Sequence, residues 1–392
     1  MLRMLGGLYA LGIIIGGTLR FFPVFPPIRS LWLLQLAVGE LGFLFAIPLV
    51  LIILGSYRSE YRFKWVAILS SVALVFAVLP VLETVAQERN WIWDLEYGPG
   101  RDEKPDSKSR SPYSGDISRP LFRMADLFSL PVHPLALRED FTTTDGAKLP
   151  IYVYMAPGSG PGMKPRPWIL SIHGGGWSNG DPRDLDQTIP SLLAAGYNVV
   201  APSYRFAPTY VWPRQQLDVE TAYEYAIKNA ERFGIDPKSV TLLGRSAGGQ
   251  IALSLAYASK VVQNVKGVIA VYAPTDQDFG YRWSFDIDIL DSKKILSEFI
   301  GTTPDKDPEK YRAASPLADV TANSPPTLLL YGRQDPLVWY RHAHRLADRL
   351  KAEKVRVTHL ELPWATHGFD FFPNSPGGQI ARNAILRFLE RP

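Results

Sequence analysis

The chain has 392 residues, which is enough for one large domain and an additional region. Residues 1–82 carry six lysines and arginines against two acids, so they hold the whole net charge of +4; the other 36 bases and 36 acids cancel. This distribution argues against a nucleic-acid-binding domain and is typical of charges that flank membrane segments. The absence of cysteine excludes a disulfide framework, a thiol nucleophile and a thiolate metal site.

Three apolar stretches open the chain, within residues 1–88. They predict transmembrane helices over 4–22, 31–55 and 65–82, because a bilayer core needs about 20 apolar residues in a helix. A signal peptide is the alternative for the first stretch, although no small-residue cleavage site precedes Phe21 and further apolar stretches follow. Glu40 interrupts the second stretch, so we expect it to face the bundle or to lie at shallow depth. A role of Glu40 in a proton or ion site is the other possibility.

The flanking basic residues predict an orientation for a multi-pass membrane protein. Arg3 and the bases at 58–64 lie on one side, whereas Arg20, Arg29 and Arg89 lie on the other. The positive-inside rule then places the N-terminus in the cytoplasm and the large domain on the extracytoplasmic side, by a small margin. The assignment reverses if the first stretch does not span.

Residues 89–136 are predicted to form a linker with a possible cap segment. Glycine, proline, serine and charged residues dominate 98–120, a composition that cannot build a core. Apolar residues recur at helical spacing over Leu121–Leu130, which fits either a cap helix or a helix that packs on the surface of the domain.

Residues 137–392 alternate between strand-like and helix-like runs. An antiparallel hairpin is predicted around Asp145-Gly146, and alternation of this kind gives an α/β fold with a mostly parallel sheet and helices on both faces. The stretch from Thr275 to Val320 is too long for a plain connection and is predicted to form a lid. The predicted strands are Phe141–Thr144, Leu149–Tyr154, Trp168–Ile172, Asn198–Ser203, Val240–Leu243, Val265–Tyr272, Thr327–Tyr331 and Val355–Leu362.

Two motifs follow predicted strands and carry the chemistry. Gly244-Arg245-Ser246-Ala247-Gly248 has the pattern of a nucleophile elbow, in which glycines permit a tight turn that presents the serine hydroxyl. His173-Gly174-Gly175-Gly176 supplies backbone N–H donors for a developing oxyanion. Their order and spacing predict an α/β-hydrolase fold, with Ser246 as the nucleophile and the N–H groups of Gly175, Gly176 and Ala247 as the oxyanion hole.

The serine needs a base and an acid, which follow it in this fold in the order acid, then histidine. His367 lies in the loop after the last predicted strand and is the expected base. Asp335 follows the preceding strand and is the expected acid, although a helix N-cap is the alternative role. His342 and His344 stand two apart on one predicted helix, so we expect surface positions and no metal ligation. The sequence carries no signature of a metal site or an organic cofactor.

The motifs resemble those of the hormone-sensitive-lipase-like esterases. The resemblance rests on His173–Trp177, on Ser203–Pro208, and on Asp236-Pro237 leading to Gly244–Gly249, and it covers 141–389. It implies ester hydrolysis, with oxyanion donors at Gly175, Gly176 and Ala247. Arg245 departs from the family pattern, which often has aspartate before the serine.

These observations together predict a membrane-anchored serine carboxylesterase. Its expected partners are a small-molecule or lipid ester of small to medium acyl size and the membrane itself, and no nucleic acid. The oligomeric state stays open. An amidase or peptidase of the same fold is one alternative. A membrane-bound binding protein with a hydrolase-like fold and no turnover is another.

Overall fold

The computed structural model describes residues 2–19, 29–57, 64–97, 120–130, 133–185, 188–284 and 288–390. Three N-terminal helices form a bundle, which packs against an α/β domain built on one sheet of eight strands. Residues 98–119 of the predicted linker lie outside the described residues.

The bundle consists of α1 (Leu2–Thr18), α2 (Arg29–Tyr57) and α3 (Lys64–Tyr97). Small residues allow close packing: a Cβ added to Gly42 would lie 2.3 Å from the carbonyl oxygen of Ala77, so the backbones of α2 and α3 touch. Two segments, Arg29–Ser56 and Lys64–Ile92, are long and apolar enough to cross a membrane by length and composition. The apolar segment Met4–Thr18 is shorter. The prediction of three spans is therefore supported for two helices.

A short segment, residues 120–130, joins the bundle to the C-terminal helix of the domain. It contains a 3₁₀-helix, Met124–Phe128, whose Leu127 packs with Phe122 and Val81 of α3. The N–H of Phe122 donates to the carboxylate of Glu88 at 2.9 Å. The segment therefore packs against the bundle, and it also contacts Gln379 and Asn383 of the C-terminal helix. Its short 3₁₀-helix replaces the helix predicted over Leu121–Leu130.

The sheet confirms the predicted α/β architecture. Its spatial order is β1-β2-β4-β3-β5-β6-β7-β8; β2 runs antiparallel to β1 and β4, and the remaining neighbours are parallel. Every residue of β4 and β7 is buried, as expected for central strands covered on both faces. The strands are β1 (Leu137–Thr142), β2 (Lys148–Tyr154), β3 (Arg166–Ile172), β4 (Asn198–Pro202), β5 (Ile235–Arg245), β6 (Val265–Val271), β7 (Thr327–Gly332) and β8 (Val357–Leu362).

The helices of the domain connect the parallel strands. The helix that follows β5 packs on β5 and β6, and the C-terminal helix contacts α3 of the bundle. The carboxyl ends of β5, β7 and β8 meet at one edge of the sheet, where the loops that carry the predicted site begin. The helices are α4 (Ile189–Ala194), α5 (Arg214–Lys228), α6 (Ala230–Phe233), α7 (Ala247–Ala258), α8 (Gln277–Trp283), α9 (Ser292–Ile300), α10 (Pro308–Ala313), α11 (Arg341–Ala352) and α12 (Pro376–Glu390).

Candidate active site

The turn between β5 and α7 holds Ser246 in a strained conformation. Its φ of 50° and ψ of −123° lie where a non-glycine residue rarely stays, and its N–H donates to the carbonyl of Val271 at 2.9 Å. Glycines make the turn feasible: a Cβ at Gly244 would lie 2.2 Å from the carbonyl oxygen of Gly248, and one at Gly248 would lie 2.2 Å from that of His173. The sequence motif therefore produces the sharp turn that it predicts.

Three loops bring Ser246, His367 and Asp335 into a hydrogen-bonded line. His367 Nε2 lies 3.1 Å from Ser246 Oγ, and His367 Nδ1 lies 2.7 Å from Asp335 Oδ2. Because the carboxylate accepts, Nδ1 carries the proton and Nε2 accepts from the serine hydroxyl. The other oxygen of Asp335 accepts from the N–H groups of Leu337 and Val338, at 2.8 and 2.9 Å. The alternative role of a helix N-cap is not met, because α11 begins at Arg341 and its N-cap is Tyr340.

The glycine-rich loop after β3 lies against this turn. A Cβ at Gly174 would approach Ser246 Cβ to 3.4 Å, so Gly174 borders Ser246 directly. Among the residues that the structure describes, the N–H groups of Gly175, Gly176 and Ala247 donate no hydrogen bond to the protein. Free N–H groups beside a serine hydroxyl are what binding of an oxyanion requires.

His173 fixes the start of this loop. Its Nδ1 donates to the carbonyl of Gly174 at 2.7 Å, and its ring stacks on Tyr204 with a centroid distance of 4.3 Å. Burial lowers the pKa of His173, so the imidazole is neutral at pH 7. The Tyr204 hydroxyl in turn donates to the carbonyl of His173 at 3.1 Å. These contacts hold the start of the glycine-rich loop in place.

Arg245, the departure from the family pattern, pairs with an aspartate three residues after His367. Its Nε donates to Asp370 Oδ2 at 2.5 Å, and both side chains are buried. The Tyr272 hydroxyl donates to the second oxygen of Asp370 at 2.6 Å, and burial keeps the pKa of Tyr272 well above its ordinary value. Arg245 also reaches Thr188 Oγ1 at 3.1 Å. This network was not predicted from the sequence, although the unusual arginine at position 245 was a signal for it.

A cavity with a volume of about 540 Å³, counting its open mouth, begins at Ser246 and His367. The predicted lid segment contributes α8, α9 and the turn between them to its wall. In the described part of the chain, the lining contains no lysine, arginine, aspartate or glutamate. The remaining lining residues are Gly176, Trp177, Pro274, Gln277, Gly280, Ser284, Leu290, Ser292, Ile295, Leu296, Leu337, Val338 and His342.

His342 is buried and lines this cavity, so the expectation of a surface position was wrong. The amphipathic helix α11 turns it inward, toward Gly280 of α8. Its Nδ1 accepts from the N–H of Thr275 at 3.2 Å. Burial lowers the pKa of His342 to about 4, so at neutral pH the remaining proton sits on Nε2.

His344, on the same helix, belongs to a separate group with His359 and Glu361. Their potential ligand atoms lie within 4.8 Å of one another, and His344 Nε2 lies 2.8 Å from Glu361 Oε2. Arg333 also pairs with Glu361, at 3.4 Å. The spacing fits a metal ion, but the existing ion pairs account for the carboxylate, and none of the three residues lines the cavity.

The strand order, the serine turn and the glycine-rich loop define an α/β-hydrolase. A family model named BD-FAE matches residues 153–350, just over half of the chain, and the chain therefore belongs to the BD-FAE family. Among solved structures, an esterase from the archaeon Pyrobaculum calidifontis matches with a TM-score of 0.57 and 23% sequence identity, over 66% of this chain and 86% of that one.

Two curated relatives are similar in sequence. Esterase LipC of Mycobacterium tuberculosis is 32% identical over 244 residues, which cover 58% of this chain and 59% of LipC. An ethyl acetate hydrolase of Pseudomonas putida is 29% identical over 242 residues, which cover 58% of this chain and 73% of that protein. The chain thus spans about three-fifths of the length of LipC.

Proposed function

We propose that this protein is a serine carboxylesterase in which Ser246, His367 and Asp335 form the catalytic triad. The observation that carries the proposal is the line of hydrogen bonds from Ser246 Oγ through the imidazole to Asp335, at 3.1 and 2.7 Å, at the end of a cavity. The esterase names of the relatives support it. They favour an ester over the amide or peptide alternative.

The reaction proceeds by acyl transfer. His367 Nε2 takes the hydroxyl proton of Ser246 as Oγ bonds to the ester carbonyl carbon, and Asp335 stabilises the imidazolium. The carbonyl oxygen becomes an oxyanion and accepts from the N–H groups of Gly175, Gly176 and Ala247; each such donor typically contributes about 3–4 kcal/mol to the transition state. His367 then protonates the leaving alcohol. Water, deprotonated by the same imidazole, releases the carboxylic acid and restores Ser246.

The lining of the cavity favours an uncharged ester of small to medium acyl size. A charged substrate group would lose its hydration without gaining an opposite charge from the lining residues that the structure describes. Leu296, Ile295 and Val338 supply apolar surface, whereas the Nε2 proton of neutral His342 provides a hydrogen-bond donor.

We further propose that α2 and α3 anchor the protein in a membrane, with α1 packed beside them. Both helices are long and apolar enough to cross a membrane. The bundle also exposes large apolar side chains, whose contact with water is unfavourable. The side of the membrane that the catalytic domain occupies stays a prediction. The exposed side chains include Leu5, Leu8, Leu11, Leu44, Ile47, Leu51, Leu54, Ile68, Val75, Leu82 and Val85.

The test is hydrolysis of p-nitrophenyl esters from acetate to palmitate by the detergent-solubilised wild type and by Ser246→Ala. We expect a maximum at short to medium chains and a loss of at least about 10⁴-fold in the variant, because alanine removes the hydroxyl that forms the acyl-enzyme in this proposal. Equal rates in the two proteins would refute the assignment of Ser246. Activity on p-nitroanilides without activity on any ester would favour the amidase alternative.

A further inference from the structure

Glu40 lies in the middle of α2, yet its hydrogen-bonding partners belong to the catalytic domain. Its carboxylate is buried, with 1% of the residue exposed. Oε1 accepts from Trp364 Nε1 at 3.1 Å, and Oε2 accepts from Ser375 Oγ at 2.7 Å and from the N–H of Gly377 at 2.8 Å. A buried carboxylate is costly unless hydrogen bonds compensate it, so the two parts of the chain depend on each other at this point.

These partners bracket the loop that carries the proposed catalytic base. Trp364 precedes His367 by three residues, and Ser375 and Gly377 stand at the start of α12, where the same loop ends. Glu40 therefore accepts hydrogen bonds from both ends of the loop: from Trp364 at its start, and from Ser375 and Gly377 at its end. Between them, Asp370 contacts Arg245 beside the nucleophile.

The close approach of α2 to the domain requires a small residue at position 377. A Cβ at Gly377 would lie 2.8 Å from the Glu40 carboxylate oxygens, whereas one at Gly39 would make an ordinary van der Waals contact with the Trp364 ring, at 3.6 Å. Trp91 of α3 also packs against Trp364, with a centroid distance of 6.1 Å. The indole thus contacts two helices of the bundle.

We propose that Glu40 is a positioning residue: from α2 it fixes both ends of the 364–377 loop and thereby holds His367 at the correct distance from Ser246. This role rests on the proposed hydrolase function. It explains why a carboxylate lies within an apolar helix, and it makes the bundle a part of the catalytic apparatus as well as an anchor. Displacement of a catalytic group by about 1 Å can cost about 100-fold in rate.

The decisive variants are Glu40→Gln and Trp364→Phe in the full-length, detergent-solubilised protein. Glutamine has the same shape, but its amide cannot accept from Trp364, Ser375 and Gly377 together. Phenylalanine keeps the ring and removes the donor to Oε1. The matched control is Glu220→Gln on α5, since Glu220 is also buried and accepts from a serine hydroxyl, that of Ser259, at 2.7 Å.

The readouts are kcat and KM for p-nitrophenyl butyrate per active site titrated with a fluorophosphonate, and hydrogen–deuterium exchange of residues 364–377. We expect Glu40→Gln to lower kcat by about 10- to 100-fold with KM changed less than about threefold, and to speed exchange in the loop. Trp364→Phe should lower kcat in the same way. The double variant should lie close to the worse single variant, because both changes act through one contact.

A merely structural role would reduce the yield of folded protein and leave kcat per titrated site unchanged. An unchanged kcat in Glu40→Gln would overturn the proposal, and so would a loss of kcat in Glu220→Gln as large as the loss in Glu40→Gln. Unchanged hydrogen–deuterium exchange of residues 364–377 in Glu40→Gln would also overturn it. If Glu40→Gln does not fold, Trp364→Phe decides by the same criteria. Wild-type protein that neither hydrolyses esters nor reacts with the fluorophosphonate at Ser246 would instead refute the proposed function itself.

Discussion

The buried pair of Arg245 and Asp370 allows a quantitative prediction. Asp370→Asn removes the charge that balances the guanidinium while preserving shape and an acceptor for the Tyr272 hydroxyl. The Arg245 side chain is 8% exposed, so water cannot replace the lost partner. Breaking a buried pair by removal of one member typically costs about 3–5 kcal/mol, and we expect a loss of that size in the free energy of unfolding.

The second half of the prediction concerns the double variant Arg245→Leu, Asp370→Asn. Because it leaves no unpaired buried charge, it should recover most of the stability that Asp370→Asn loses. Activity should fall in both variants, since the pair joins the nucleophile turn to the loop of His367.

The assay is urea unfolding of detergent-solubilised protein, followed by tryptophan fluorescence. Asp278→Asn serves as the control, because its pair with Arg282 is about half exposed on both sides and should contribute less than about 1 kcal/mol. A cost for Asp370→Asn no larger than that of the control would refute the reasoning. So would a double variant whose loss equals the sum of the two single losses.

Three further predictions follow from the site. Asp335→Asn should lower kcat by about 10⁴-fold with little change in KM, since the amide favours the wrong imidazole tautomer; a loss under tenfold in ester hydrolysis would contradict the triad. Gly248→Ala should lower the melting temperature by several degrees, because the Cβ of the alanine would clash with the His173 carbonyl oxygen. Gly12→Ala should not lower it, since no atom lies within 4 Å of a Cβ at that position, and equal melting temperatures of the two variants would contradict the prediction. His342 has a pKa of about 4 in the folded protein and about 6.5 in the unfolded chain, so between these pH values the unfolded chain binds one more proton than the folded protein. The free energy of unfolding should therefore fall as the pH drops from about 6.5 to 4, by up to about 3 kcal/mol. Urea unfolding of His342→Gln should show a smaller fall over that window, and an identical pH dependence would contradict the assignment.

Local sequence patterns were sufficient for the elements of the domain. All eight predicted strands are present, with ends shifted by up to five residues, and the largest shift is at β5, which begins at Ile235 and not at Val240. Such runs are recognisable because strands covered on both faces must be apolar throughout. The turn at Ser246 was equally predictable, since only glycine tolerates the contacts at positions 244 and 248.

The positions of Asp335 and His367 followed from the rule that the loops after parallel strands meet at one edge of the sheet. Their sequence context identified them, and the structure brings them within hydrogen-bonding distance of each other and of Ser246. Their catalytic roles stay predictions that the variants above test. The burial of His342 was not predicted, because a spacing of two on a helix shows that two side chains point in different directions but not which of them faces the core.

The sequence by itself determined the order of strands and helices, the nucleophile turn and two long apolar helices, because each depends on residues close together in the chain. Tertiary structure alone decided that Asp370 balances Arg245, 125 positions away, and that Glu40 accepts from Trp364, 324 positions away. In the sequence, a buried charged residue is recognisable only because it departs from the pattern around it, as Glu40 does in an apolar stretch and Arg245 does in the serine motif. Its partner is whichever group the fold brings within about 3 Å, and no periodicity or local motif encodes that distance.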